Sequence, residues 1–402
     1  MDPSYPGMTR KRGAIGGLAL LMALPIAADE SLRFSVQLYL RTLGASPLMI
    51  ALGTSLCWLG ISVGSILWGS LSDRWRRRRL LALLACGGAV LILVMSLLPG
   101  PSGALSFVFV RVLLVSGIAP IVLAIQSERS TLRDRGRYLS ILSASRSAGF
   151  ALGSMIAGIA LDRLGFRYAF AVLSILPLLS LIGLYAVEDR PSSSHDVSSP
   201  AAEPASRQWR PELLALYAGT VLRQMANTGT RSLIYVFMAS LGIATSVMGV
   251  LNAVNPAVQV AAMFVFGWLA DRVGRRRVFL LGFALSVVST ALFAVATGPI
   301  GIAVAYSVIG VAFPALFVGS ASFIGDTVPT GTQGRMLGAF ESSRGVGGVL
   351  GPILAGSLVP VIGFRWMIGV MAGCAALGFA IVWGGTRTTR HPPVRSSSRS
   401  LP

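Results

Sequence analysis

An apolar stretch near the N-terminus carries Asp29, Glu30 and Arg33 within five residues. A charge at mid-bilayer costs about 2.5–3.5 kcal/mol on insertion scales, so three facing lipid would cost roughly 8–10 kcal/mol. That is comparable to the whole stability of a folded domain. The three groups must therefore face a watered cavity, pair with a partner, or titrate to neutral. Asp29 and Arg33 are spaced i,i+4, and Glu30 and Arg33 i,i+3, so on a helix either carboxylate reaches the arginine on one face. A carboxylate in a partly dry place tends to keep its proton, and a nearby arginine makes it give the proton up. If the arginine comes and goes, the proton binds and leaves within one cycle. A static salt bridge is the competing reading. Intramembrane ionisable groups usually line substrate or proton paths, which favours the first. Asp29 shares the stripe of Arg33 and is the favoured coupling group, with a cationic or neutral substrate competing for the cluster.

The pattern returns further along. Arg223, Asn227 and Arg231 form a second stripe, and Asn252, Asn255 and Gln259 share roughly one face of the next segment. Arg111 lies deep in another apolar run and is a second candidate partner for the carboxylates. Together with Asp29, Glu30 and Arg33, these side chains are the expected lining of a proton and substrate cavity. Arg146, Glu341 and Arg344 also lie within apolar runs, nearer their ends, and read as a gate or a packing bond.

Other chemistry is missing from the pattern. There is no Gly-x-x-x-x-Gly-Lys-Ser/Thr phosphate loop, no metal-ligand spacing and no nucleophile–base arrangement. No enzymatic activity, cofactor or metal is expected, so energy must come from an ion or substrate gradient. The two histidines, His195 and His391, stand outside the apolar runs, and a proton relay must use carboxylates. Cys57, Cys86 and Cys374 fall inside apolar runs and read as small buried hydrophobes.

The elements that position these residues are repeated. Arg33 and Arg231 are 198 residues apart, and at that spacing Gly69, Asp73 and Arg74 return as Gly267, Asp271 and Arg272 without a gap. Gly149, Gly153 and Gly158 return as Gly347, Gly351 and Gly356, and Gly165-Phe166-Arg167 as Gly363-Phe364-Arg365. Two copies of one unit with a ligand site between them is how many secondary transporters are built. The repeat also argues that the first apolar run is retained as a helix rather than removed as a signal peptide, because Ala28–Gly44 aligns with Ala226–Gly242 deep in the chain.

Of 402 residues, 54% are hydrophobic and 12% charged, against roughly 25% charged in a soluble domain. The net charge is +19, which could suggest nucleic acid. The cations instead recur in every second loop, and no nucleic-acid-binding pattern accompanies them. Twelve spanning segments are expected near 14–39, 47–71, 80–98, 104–126, 138–160, 167–187, 212–238, 245–270, 278–298, 301–324, 336–359 and 365–385. The arginine-rich loops and both termini are placed in the cytoplasm of a cell with this protein in its cytoplasmic membrane. The chain divides into a six-helix half at 1–187, a Ser/Pro-rich cytoplasmic linker at 188–211, a second half at 212–386, and a solvated tail at 387–402.

Gly69 to Arg78 and Gly267 to Arg276 resemble the loop signature of the major facilitator superfamily: Gly, three residues, Asp, a base, one residue, Gly, two bases. The second copy matches completely, through Gly274; the first has Arg76 in place of that glycine. Gly149 to Gly158 and Gly347-Gly351-Pro352 to Gly356 resemble the family's antiporter motif, the first copy lacking the proline. Arg111 to Gly117 partly resembles the fourth-helix motif whose arginine is linked to proton transfer. Small residues four apart let helices pack backbone to backbone. The resemblance covers essentially the whole chain. It implies an all-α membrane fold of twelve helices in two pseudo-repeats, working as a monomer in the bilayer. It also implies that Gly69, Asp73, Arg74, Arg77, Gly267, Asp271, Arg272, Gly274 and Arg275 latch the two halves together at one end. The function implied is proton-coupled efflux of small, partly apolar compounds, as in the drug:proton antiporter branch. The alternatives are uptake of a small anion, because the arginines outnumber the acids, and a non-transporting sensor of the same fold.

Overall fold

In the computed structural model the described residues are 6–72, 75–95, 97, 100–129, 135–187, 210–328 and 332–386. Asp73, Arg74, the linker up to residue 209 and the tail from 387 lie outside them, as does the side chain of Asp271.

The first half begins with α1 (Pro6–Thr42), α2 (Pro47–Ser72) and α3 (Arg77–Met95). The next span, α4, comes in two pieces, Pro101–Val115 and Ile118–Arg129. The helical run Arg135–Leu173 breaks at Gly165, with φ 69°, into α5 before it and α6 after it. α6 continues through Ile175–Leu179 into a 3₁₀ turn, Ser180–Ala186. The second half starts with α7, again in two pieces, Pro211–Ser232 and Ile234–Ser240. Then come α8 (Thr245–Val273), α9 (Arg275–Val295) and α10 (Pro299–Thr327). The last run, Gln333–Gly385, breaks at Gly363, with φ 77°, into α11 and α12.

Local chemistry sets these ends. Proline opens α4, α7 and α10, where its missing N–H is no loss. Glycines with positive φ stand at 44, 165, 242, 274 and 363. The first, second, third and fifth form two pairs at the repeat spacing, so the repeat extends to backbone geometry. Gly274 (φ 95°) takes the turn between α8 and α9, whereas Arg76, its counterpart, makes its turn without a left-handed backbone. At the break in α4, the Leu113 carbonyl accepts from the Trp68 indole at 2.7 Å and from Ser116 Oγ at 3.0 Å. Those donors supply what the interrupted ladder no longer does.

Among the described residues nine helical runs are long and apolar enough to span a bilayer. Two of them, Ile141–Ala186 and Gln333–Gly385, each hold two spans because they break at Gly165 and Gly363. α7 is less apolar than these, because it carries Arg223, Gln224 and Arg231. The expected twelve spans are present, with shifted ends: α1 starts at Pro6, before the expected residue 14, and α3 ends at Met95.

The two halves pack in the same way. A Cβ at Gly149 or Gly153 would collide with the backbone of Ala23 or Ala27, so α5 lies directly on α1. Gly347 and Gly351 bring α11 onto Val221 and Met225 of α7, the same positions one repeat later. Gly158 then touches Thr245 and Gly249 of α8, and Gly356 touches Leu48 and Ala51 of α2, so the third glycine of each motif joins one half to the other.

Candidate functional site

Asp29 and Glu30 are adjacent on α1 but point to different partners. Asp29 Oδ1 accepts from Arg111 Nη1 of α4 at 2.5 Å, and Arg111 is 2% exposed. Nε and Nη2 of Arg111 have no hydrogen-bond partner among the described residues. Glu30 reaches across to the second half. Its Oε1 accepts from Asn252 Nδ2 of α8 at 2.8 Å and from the Tyr235 hydroxyl at 3.4 Å, and lies 3.7 Å from Arg231 Nη2 of α7. Arg231 in turn donates to Asn252 Oδ1 at 3.4 Å. Gln37, two turns further along α1, donates to the Arg231 carbonyl at 3.0 Å and accepts from the Tyr235 backbone N–H at 3.4 Å. Phe34 packs on the Tyr235 ring, centroids 4.5 Å apart.

The expected pairing of Arg33 with either carboxylate is not made. Consecutive helical residues point about 100° apart, so Asp29 meets α4 while Glu30 meets α7 and α8, and each finds an arginine from another helix. Arg33 instead lines a cleft between α1, α2 and α4, beside Asp29, Cys57 and Arg111.

The second stripe is also divided. Arg231 belongs to the site. Arg223 does not: it is 1% exposed, donates to Ser286 Oγ of α9 at 3.0 Å and to Gln224 Oε1 at 3.3 Å, and leaves Nη2 unpartnered among the described residues. Eight residues along a helix turn about 80° away from the starting face, which carries Arg223 off the stripe and into the second half. Asn227 and Gln259 are half-buried and Asn255 is buried. None of the three makes a side-chain hydrogen bond among the described residues.

Arg344 is held by both oxygens of Glu341, at 2.9 and 2.8 Å, and covers the Phe313 ring at 5.6 Å. Arg146 is exposed and stands 5.7 Å from the centre of the Phe150 ring.

Of the latch expected from the loop signature, Gly69 shows no contact among the described residues: a Cβ there would meet none of their atoms within 4 Å. The halves meet instead at the arginine-poor end, through Gly158, Gly356, the Asp162–Thr245 bond at 3.1 Å and the Gln37 bonds. Arg275 donates to the Ser322 carbonyl of α10 at 3.2 Å, within its own half, and Arg77 is buried. Asp73 and Arg74 are among the residues not described.

Gln37, Tyr235 and Ser286 were not singled out from the sequence. Gln37 extends the Asp29–Arg33 stripe by one turn, and Tyr235 is its counterpart 198 residues later. That spacing was the available signal.

The sequence profile of the Major Facilitator Superfamily matches residues 16–218 and again 216–401. The multidrug resistance protein MdtG of Escherichia coli (strain 55989) is 24% identical over 349 residues, covering 85% of each chain. Among solved structures, the nucleoside transporter NupG superposes with a TM-score of 0.75 at 14% identity, over 94% of this chain and 100% of that one. A bacterial homologue of the human lysosomal transporter Spinster, inward-facing and unoccupied, gives a TM-score of 0.78 at 14% identity, over 95% and 98%.

Proposed function

The chain belongs to the Major Facilitator Superfamily and is a multi-pass membrane transporter of small molecules, and we propose that it expels small, partly apolar compounds in exchange for protons. It is not an enzyme. The efflux direction and the drug-like cargo are supported by the similarity to MdtG. The arginine-rich loops support a cytoplasmic position for both termini in a cytoplasmic-membrane protein. With the halves joined at the opposite end, the conformation is then inward-facing. The unit is a monomer of two halves, 1–187 and 212–386, with a cytoplasmic linker and tail.

One observation carries the coupling. Glu30 is bonded only to residues of the other half among those described, whereas Asp29 is bonded within its own. Parting the halves at the arginine-poor end must break the Glu30 bonds and can leave the Asp29 pair intact. Glu30 is therefore the carboxylate whose arginine leaves during alternation, which makes it the candidate coupling residue. The preference for Asp29 drawn from the stripe with Arg33 passes to Glu30. Closing that end again restores the contact between Glu30 and Arg231. Asp73 and Asp271 would serve the latch when the other end closes.

Flux in proteoliposomes with an imposed pH gradient tests this. Glu30→Gln should keep substrate exchange and lose pH-driven accumulation. If Glu30→Gln still drives uphill transport, proton coupling through α1 has the wrong residue or is absent.

A further inference from the structure

Arg33 is a cation whose expected partners are taken. Asp29 is held by Arg111, and Glu30 by Arg231. Arg33 itself makes no ion pair or side-chain hydrogen bond among the described residues. It lines the cleft between α1, α2 and α4 together with Asp29, Thr54, Cys57 and Arg111. The Thr54 hydroxyl has no hydrogen-bond partner among the described residues either. Arg111 leaves Nε and Nη2 unpartnered among them. The charged groups of the cleft are two guanidiniums and one carboxylate, so one positive charge is in excess. Gln37 also lines it, but its amide is engaged by α7. The cleft is small, about 20 Å³. A water needs about 10–15 Å³, so one small body fits and an organic molecule does not.

The other half shows what is missing. Arg231 and Asn252 are the counterparts of Arg33 and Thr54 at the repeat spacing. Arg231 donates to Asn252 at 3.4 Å and lies 3.7 Å from Glu30. One arginine of the pair is satisfied by protein, and its equivalent has a hydroxyl and no free acid.

We propose that this cleft binds one small inorganic anion of the chloride class, as the counter-ion of Arg33. An unpaired cation inside a membrane protein is costly. A water would solvate Arg33 but leave its charge standing, whereas an anion does both. Guanidinium N–H groups and a threonine hydroxyl are the donors such an ion needs, and arginine has no acceptor to repel it. Asp29 is the one group of the cleft that repels an anion, and its charge is engaged by Arg111 at 2.5 Å. A cation would meet two guanidiniums and a carboxylate that is already paired. The site lies wholly within the first half, so it can stay loaded while the Glu30 bonds to the second half break. It depends neither on the direction of transport nor on the coupling ion.

The test uses the full chain in phosphatidylcholine nanodiscs, prepared without chloride in sodium gluconate. Sodium chloride then replaces sodium gluconate at fixed ionic strength, and thermal unfolding is followed by tryptophan fluorescence. A ligand that binds only the folded chain raises the unfolding temperature along a saturation curve. Chloride and bromide should both do so. Arg33→Gln should weaken the apparent affinity for chloride at least about tenfold, the scale of one charge-assisted hydrogen bond. Thr54→Val should weaken it by a smaller factor, and Arg146→Gln, outside the cleft, should leave it unchanged. Broadening of the chloride NMR line by the unsubstituted chain measures binding directly and decides the matter even if a variant does not fold. Neither a saturable rise nor line broadening would mean that the cleft holds water, and overturns the proposal. Unchanged chloride affinity in Arg33→Gln overturns it too, by placing the ion elsewhere. So does benzenesulfonate that displaces chloride at lower concentration, because the cleft would then serve the anionic group of a cargo. Loss of proton-coupled flux would leave chloride binding untouched, and the absence of chloride binding would leave the coupling reading untouched.

Discussion

α1 and α7 occupy equivalent places in the two halves and carry the same three-residue stripe in different chemistry. On α1 it reads Asp29, Arg33, Gln37; on α7 it reads Asn227, Arg231, Tyr235. The backbone contacts are the same in both: Gly153 on Ala27, and Gly351 on Met225, one repeat apart. The ionisable contacts are not. The first half holds both acids of the site, closing one on its own Arg111 and offering the other to Arg231, Asn252 and Tyr235. The second half holds a buried arginine, Arg223, with only Ser286 and Gln224 as hydrogen-bond partners among the described residues. Symmetric packing builds two rigid bodies, and the asymmetric charges decide what must break when they move.

The comparison can be broken first at the symmetric glycines. Gly153→Val and Gly351→Val would each place side-chain carbon under 3.0 Å from backbone of the facing helix. Both should abolish the recovery of monodisperse protein by size-exclusion chromatography, and to a similar extent. A large difference between them would mean that the halves are not packed alike.

Removing one partner of the inner pair comes next. Asp29→Asn leaves Arg111 buried without its counter-charge and should destabilise by about 3–5 kcal/mol. Thermal unfolding followed by tryptophan fluorescence measures it. Asp29→Asn/Arg111→Leu should recover much of the loss, and a double variant no better than the single would show that the pair is not the unit.

The two loop glycines give the smallest and sharpest contrast. Gly274→Ala forces a side chain into a left-handed backbone and should cost about 1–2 kcal/mol. Gly69→Ala meets no atom of the described residues and should leave the unfolding temperature unchanged. A cost at Gly69 as large as that at Gly274 would show that Gly69 is packed after all.

Repeat, turns and spans were legible because they depend on backbone: glycine at φ 75° and 73° after α1 and α7 follows from spacing alone. The partners of Asp29 and Glu30 were not. An i,i+4 spacing says that two groups are neighbours on one helix, but not which neighbouring helix lies nearer. Arg111 and Arg231 came close enough to displace Arg33, and that depends on how α4 and α7 are rotated. Arg223 was placed on the cavity stripe because eight residues look like two turns, and the remaining rotation of about 80° carried it to Ser286. Gln37 and Tyr235 look ordinary in sequence, and only their meeting across the halves gives them a role.

The central claim is that the Glu30 bonds hold the arginine-poor end closed while the Asp29 pair does not. Spin labels at Thr42 and Ser240, both exposed at that end of α1 and α7, report it by double electron–electron resonance in a background without Cys57, Cys86 and Cys374. The unsubstituted protein should give mainly short distances. Glu30→Gln should show the longer distances at every pH, and Asp29→Asn should keep the closed distance. Closed distances in Glu30→Gln at every pH, or opening in Asp29→Asn alone, would contradict the account.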